Sequence, residues 1–329
     1  MMAGTSKRER LEAAIRGEIA DRPPVSLWRH FPVDDQSPLS LASSIARFQE
    51  EFEFDFVKVT PASSFCLVDW GVKDEWRGNA EGTREYTQRV IFEPEDWVKL
   101  DRLDPGQGGL RRQVECLRAL REQLGKDTPI IQTVFSPLAQ AKNLAGGERL
   151  LEHLHRDPKT VLEGLRIITN ITADWVDRLT GEPLDGIFYA VQHASYRYFD
   201  IEGYALFGEP FDLAILERTS AFWLNVLHLH GTAIHFKLAA KYPVQVVNWH
   251  DREVEPDLAA GAGLFPGAVC GGVRRETLVL GTPDQVQAEA QESLVQVERR
   301  GVILGTGCVT PILAPRSNLQ TLRQAVDFV

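Results

Sequence analysis

The sequence predicts an α/β fold, a single (β/α)8 TIM barrel with a polar, aromatic insertion after the second strand. Three observations carry this expectation. Eight short apolar runs each end in polar residues, helical periodicity lies between several of them, and no glycine-rich phosphate loop follows the first. Strand and helix alternating eight times is the pattern of a barrel with a parallel inner sheet. A doubly wound sheet is the alternative, but it ordinarily has fewer strands and a G-x-G-x-x-G or Walker A turn. The chain contains neither motif.

The first run is Pro24-Val25-Ser26-Leu27-Trp28, ending at Arg29-His30, and the second is Phe54-Asp55-Phe56-Val57-Lys58-Val59-Thr60, ending at Pro61. Pro129 to Phe135 follows, running into Ser136-Pro137, and then Gly186 to Val191, ending at Gln192-His193. The fifth, Leu224-Asn225-Val226-Leu227, closes on His228-Leu229-His230-Gly231. Val244 to Asn248 ends at Trp249-His250-Asp251, Gly267 to Cys270 ends at Gly271-Gly272, and Val302 to Gly307 closes on Cys308. Between them, Leu110, Val114, Leu117, Leu120 and Leu124 recur at the three- and four-residue spacing of an amphipathic helix. Thr282-Pro283-Asp284 has the cap and first-turn proline of a helix start, with the helix running to Arg299. Asn318 to Val329 reads as a terminal helix.

Residues 72–100 are polar and aromatic, with turn signals at Gly78-Asn79 and Glu81-Gly82, and read as an excursion that covers the strand-exit face. Residues 194–210, with Tyr196, Tyr198, Phe199, Tyr204 and Phe207, are a second candidate wall. Aromatic packing on the barrel rim is the competing reading for both. The whole chain, 1–329, is expected to be one domain.

Composition narrows the partners. Hydrophobic residues make up 43% of 329, enough for a large core, and 36 basic against 46 acidic side chains leave a net charge of −10. That balance argues against a nucleic-acid binder, which needs a basic stripe. Cys66, Cys116, Cys270 and Cys308 are far apart and form no C-x-x-C, so neither a disulfide framework nor a zinc ribbon is expected. The N-terminal residues 1–20 lack an apolar signal core, and no run is long enough to span a membrane. A cytoplasmic protein acting on a small molecule is the expectation, as monomer or homodimer.

The chemistry gathers at the strand ends. His228 and His230 alternate on one strand, so both face the same way with Cα atoms about 6.5–7 Å apart. With Cys308 at another strand end they satisfy the catalytic zinc pattern of three protein ligands and an open fourth position. Two hydrogen-bonded core histidines and an inert thiol are the bland alternative. Five of the eight histidines, His30, His193, His228, His230 and His250, fall at strand ends, whereas His153, His155 and His235 fall on helices or their flanks. Arg29, Gln132, Gln192, Asn248, Asp251 and Arg252 gather at the same level, and such convergence reads as a pocket floor. Gln132 alone reads better as a satisfied core amide.

The chain resembles the uroporphyrinogen decarboxylase superfamily, which includes the zinc methylcobamide:thiol methyltransferases and, more distantly, cobalamin-independent methionine synthase. The resemblance spans the chain. It rests on Lys7-Arg8-Glu9-Arg10-Leu11 through Asp21-Arg22-Pro23-Pro24-Val25, on Phe54-Asp55-Phe56-Val57-Lys58, and on Gly307-Cys308 with Pro311, Pro315 and Asn318-Leu319. True decarboxylases carry an arginine-rich segment after the first strand, an aspartate after the second and a terminal G-H-G. Here Trp28-Arg29-His30-Phe31-Pro32 keeps only Arg29, the aspartate position falls near Ala62, and the terminal triplet is Gly305-Thr306-Gly307.

The methyltransferase branch instead carries H-x-C-G on the fifth strand and a distal cysteine, all binding zinc. The resemblance therefore implies zinc on His228, His230 and Cys308, with His230 standing where cysteine would be. His250 or Asp251 falls near the position of an extra ligand in methionine synthase. The implied activity is zinc-dependent methyl transfer to or from a corrinoid or small-molecule donor, with a corrinoid protein as a partner. In that reading Asp251 or His193 accepts a proton, Arg29 or Arg252 holds a substrate carboxylate, and Gln132, Gln192 and Asn248 line the pocket. One alternative is a metal-free decarboxylase or lyase of a tetrapyrrole-like or small carboxylated substrate, with Arg29 orienting it and His30, His193 or Asp251 giving the proton. The other is a non-catalytic tetrapyrrole or corrinoid binder.

Overall fold

Seven strands form one parallel sheet in the order β1-β4-β5-β6-β7-β8-β9, in a computed structural model that describes residues 5–327. They are β1 (Val57–Val59), β4 (Ile130–Phe135), β5 (Gly186–Val191), β6 (Val226–Leu229), β7 (Val246–Trp249), β8 (Ala268–Val273) and β9 (Val302–Thr306). Seven of the eight predicted runs thus form strands; Gly186–Val191 matches its run, and the other six are shorter than or offset from theirs. The eighth position belongs to residues 24–28, which make only one isolated bridge, Val25 to Leu304. Pro23 and Pro24 have no N–H to give a ladder. Side chains take its place: the Val25 N–H donates to Asp55 Oδ2 at 2.8 Å and Ser26 Oγ–H to Phe56 O at 2.9 Å. The segment still bonds both edges of the sheet, Ser26 N–H to Leu304 O and Asp55 N–H to Val25 O, each at 2.9 Å.

Alternation along the strands sorts the side chains. Phe56, Ile131, Phe188, Ala190, Val226, Val246, Ala268, Cys270 and Ile303 pack together on the inner face. Their neighbours Val57, Ile130, Tyr189, Leu227, Val247, Val269 and Leu304 pack outward against the helices. Parallel strands buried on both faces need this continuous apolar character. Register then sets a row at the upper level: Ala190, His228, Asn248 and Cys270 are successive partners across β5 to β8.

Residues 72–100 hold a hairpin, β2 (Lys73–Glu75) antiparallel to β3 (Glu85–Gln88), and a turn of 3-10 helix at Pro94–Lys99. In the second aromatic segment, Tyr204 turns inward on the helix Ile201–Phe207, while Tyr196 and Tyr198 are exposed. Tyr189, Tyr204 and Tyr242 all donate to the buried Asp212 carboxylate, at 2.5–2.7 Å. None of residues 194–210 lines the central cavity, so the expectation of a second wall there is corrected to rim packing. The predicted terminal helix is Arg316–Gln324; Phe328 and Val329, its last expected residues, lie outside the described ones. Among the described residues no helix is long and apolar enough to cross a membrane.

Candidate metal centre

At the carboxyl ends of β6, β7 and β9 four ligand atoms converge. His228, His230, His250 and Cys308 each offer one, and all four lie within 4.8 Å of one another. His228 Nε2 and His230 Nδ1 are 3.4 Å apart, as are His250 Nε2 and His230 Nδ1. Cys308 Sγ lies 3.7 Å from His228 Nε2 and from His230 Nδ1. Around a tetrahedral zinc ion, two ligand nitrogens stand about 3.3–3.4 Å apart and a nitrogen and a sulfur about 3.6 Å. The four measured edges match that solid within a tenth of an ångström or so. The donor set, three imidazoles and a thiol, suits zinc as well.

Neighbours set the tautomers of two of the ligands, His228 and His250. Asn248 Nδ2 donates to Cys270 O and Thr306 O at 2.8 and 3.0 Å, so its Oδ1 is the acceptor facing His228 Nδ1 at 2.6 Å. His228 therefore carries its proton on Nδ1 and turns the Nε2 lone pair into the cluster. The Glu253 carboxylate accepts from His250 Nδ1 at 3.3 Å, leaving Nε2 free in the same way. Gly307 allows the close approach of the cysteine loop: a Cβ there would come within 2.4 Å of Trp249 O and 2.6 Å of His250 Cα. Burial by itself raises the Cys308 thiol, but His228, His230 and His250 outweigh it and hold the thiol well below its ordinary range. A thiolate is the form that ligates metal.

Three of the four, His228, His230 and Cys308, form part of the wall of a cavity of roughly 480 Å³, lined also by Trp28, His30, Lys58, Arg89, Lys142 and Gln192. His30 is partly buried there with its Nδ1 buried and unpartnered, and burial first, then Lys58, pushes its imidazole down to about 4. Gln192 Oε1 accepts from Lys142 Nζ at 2.9 Å. Asn248 is at the site but serves His228 rather than the cavity.

Four expected site residues lie elsewhere, and one sits apart from the lining. The Arg29 guanidinium rests between the Phe31 and Phe48 rings, 5.1 Å from each centroid. Gln132 is on the outward face, between inward Ile131 and Thr133, and donates to Thr133 O. It is thus a core amide, but only half satisfied: its buried Oε1 has no partner. Arg252 is drawn away by Gly272 O at 2.7 Å and by the Ser293 hydroxyl. Asp251 accepts from the Gly272 N–H at 2.9 Å and lines a separate cavity with Arg252, so of the two candidates for a fourth ligand only His250 joins the cluster. Adjacent residues on a turn point apart, and that decides between them. His193 is buried against Tyr198, outside the cavity lining, its imidazole pushed to about 3 by burial, then by Lys142 and His230.

Three cations went unnoticed in the sequence. Lys58 is 5% exposed; its Nζ donates to Thr60 Oγ1 at 3.1 Å and lies 4.5 Å from the Phe188 centroid. Burial pulls it from 10.5 to about 7, against the upward pull of Cys308. Arg89, at the end of the hairpin, donates to Asn143 O at 2.6 Å, beside Lys142 on the helix Pro137–Ala145. Among the described residues no carboxylate pairs with Lys58, Arg89 or Lys142. The available signal for Lys58 was its position two residues after inward-facing Phe56.

The fold and the cluster define a barrel-like α/β protein with a His3Cys centre at the strand ends. The uroporphyrinogen decarboxylase (URO-D) family profile matches residues 42–328, and the chain belongs to that family. Within the superfamily it stands with the methyltransferase-like branch. The methylcobamide:CoM methyltransferase MtbA of Methanosarcina acetivorans is 22% identical over 98% of this chain and 97% of its own length, and that of Methanosarcina mazei matches equally. A methyltransferase structure from Methanosarcina mazei superposes with a TM-score of 0.85 over 98% of both chains at 19% identity. A B12-independent methionine synthase from Shewanella sp. W3-18-1 does so at 0.57, with 12% identity, over 92% of this chain and 91% of that one.

Proposed function

We propose that the chain is a zinc-dependent methyltransferase moving a methyl group to or from a corrinoid or another small-molecule donor. The observation that carries this reading is the cluster of three imidazoles and a thiol, four of whose six edges match those of a zinc tetrahedron, at the wall of a ligand-sized cavity. The relatives in the MtbA group support the reaction class, and nothing in them speaks for the lyase alternative. Zinc held by all four ligands would be closed, so an acceptor thiol would have to displace one of them before the ion, as a Lewis acid, could lower its pKa. The net step breaks the carbon–cobalt bond, leaves its electron pair on cobalt, and forms a carbon–sulfur bond as the thiol proton departs.

The chain's own groups do the rest. Imidazole at position 230 in place of a thiolate leaves the centre less negative, which makes it a stronger acid and holds an anionic acceptor closer. Lys58, Arg89 and Lys142, without a carboxylate partner in the same cavity, favour an acceptor bearing an anionic group, the task that Arg29 and Arg252 are placed too far away to perform. Lys58, held near 7, can take up the acceptor's proton, and His30 stays neutral beside it. The hairpin residues Thr83, Arg84 and Tyr86 line the cavity, in keeping with a cover for the site, with a corrinoid protein presenting its cofactor at the mouth.

Elemental analysis of freshly purified protein tests the reading, together with transfer of a methyl group from methylcobalamin to small thiols. The expected result is about one zinc per chain, lost together with turnover in His228→Ala and Cys308→Ala. A zinc-free protein whose turnover ignores both substitutions sinks it.

A further inference from the structure

One line of charge joins His250 to the hairpin. His250 Nδ1–H points at Glu253 Oε2, 3.3 Å away, and the other oxygen of that carboxylate lies 3.6 Å from Arg275 Nε. Arg275 opens the helix Arg275–Leu280 after β8, and its Nη1 holds Glu81 Oε1 at 2.5 Å. Glu81 belongs to the tip of the hairpin, 194 residues away in sequence. The tip is seated by two further contacts. Ala80 O accepts from the Ile312 N–H at 2.8 Å, just beyond Cys308. Gly82 has φ +78, and a Cβ there would come 2.6 Å from His30 Cβ and 3.2 Å from Ile312 Cγ2, so only glycine lets the tip lie this close.

The tip therefore touches the loop behind one ligand and, through Arg275 and Glu253, the partner of another. Glu253 is 38% exposed and could turn freely in isolation, whereas Arg275 is only 17% exposed and is held by the hairpin. A carboxylate on the far nitrogen of a ligating histidine sets its ring orientation and basicity. Exposed ion pairs contribute little stability, so this chain of contacts acts through geometry.

We propose that Glu253 is a positioning residue for His250, and that Arg275 and Glu81 couple it to the hairpin, so that four-ligand geometry and a seated hairpin form together. The inference rests on the zinc reading of the cluster. Coupling of this kind is reciprocal: a seated hairpin tightens zinc by the same factor by which zinc tightens the hairpin.

Three variants test it, Glu253→Gln, Arg275→Met and Glu81→Gln, with circular dichroism as the check on folding and Arg275→Lys as a charge-retaining control. Zinc affinity is read by chelator competition, ligand geometry by the visible spectrum of the cobalt-substituted protein, and hairpin opening by hydrogen exchange over residues 80–88. Glu253→Gln should weaken zinc by about tenfold to a hundredfold. Glu81→Gln and Arg275→Met should each weaken it several-fold and alter the cobalt spectrum, and Glu81→Gln should add little on top of Glu253→Gln. Zinc should slow hairpin exchange in the wild type and not in Glu253→Gln. Should Arg275→Met fail to fold, the surface substitution Glu81→Gln carries the test. A wild-type protein that binds no zinc overturns both this coupling and the metal reading. Zinc affinity and a cobalt spectrum that ignore Glu81→Gln, or hairpin exchange indifferent to zinc, overturn the coupling alone.

Discussion

Along β6, β7 and the end of β9 the cavity wall consists of groups that already hold one another. Asn248 orients His228, Glu253 orients His250, and the imidazoles hold Cys308 as a thiolate. Across the cavity, on β1, the helix Pro137–Ala145 and the hairpin, Lys58, Arg89 and Lys142 meet hydroxyl, amide and carbonyl groups but no carboxylate among the described residues. A buried cation without a carboxylate partner costs stability, and the molecule carries that cost at this wall. The contrast separates two tasks. One side is organised in advance for a metal ion, and the other is left incomplete for an anionic substrate to finish.

Lys58→Met should break the contrast most visibly. Above about 10.5 the lysine is neutral in folded and unfolded chains alike. As pH falls towards 7 the unfolded chain takes a proton that the folded one refuses, so wild-type stability declines, and below 7 the loss is complete. The variant should therefore gain stability on the order of a few kcal/mol at pH 7 and lose that advantage by about pH 10.5. Denaturant melts at the two pH values measure it, and an equal gain at both would mean that Lys58 is not held neutral by the fold.

Asn248→Ala addresses the other wall. It should free the His228 ring and weaken zinc by about tenfold to a hundredfold while KM for the acceptor, measured at saturating zinc, stays put. Lys142→Met should do the reverse with the smallest effect: KM rising about tenfold, zinc content unchanged, in line with the loss of one charge-assisted contact. If Asn248→Ala raised KM, or Lys142→Met shed zinc, the two walls would not be separable.

Most of this architecture was legible because it is local. His228 and His230 follow a buried apolar run and alternate with Leu229, so their common face is written in the tripeptide. Cys308 stands at the end of another run. The segment 24–28 read as a strand from its apolar residues, yet Pro23 and Pro24 leave it a single bridge completed by Asp55 and Ser26. Arg29 and Arg252 looked like substrate clamps from their place after strand ends. Phe31 and Phe48 claim the first, and Gly272 and Ser293 the second. All of those competitors but Phe31 come from other parts of the chain.

By itself the sequence determined the alternation of strands and helices, the level at which the polar groups gather, and three of the four clustered ligands. These follow from side-chain period and strand ends, which depend on neighbours a few residues apart. Only the tertiary structure decided that His250 rather than Asp251 completes the cluster, that Asn248 serves His228, and that Lys58, Arg89 and Lys142 are left without carboxylate partners. A loop residue's direction and a cation's partner depend on groups far away in sequence, and no local pattern encodes them.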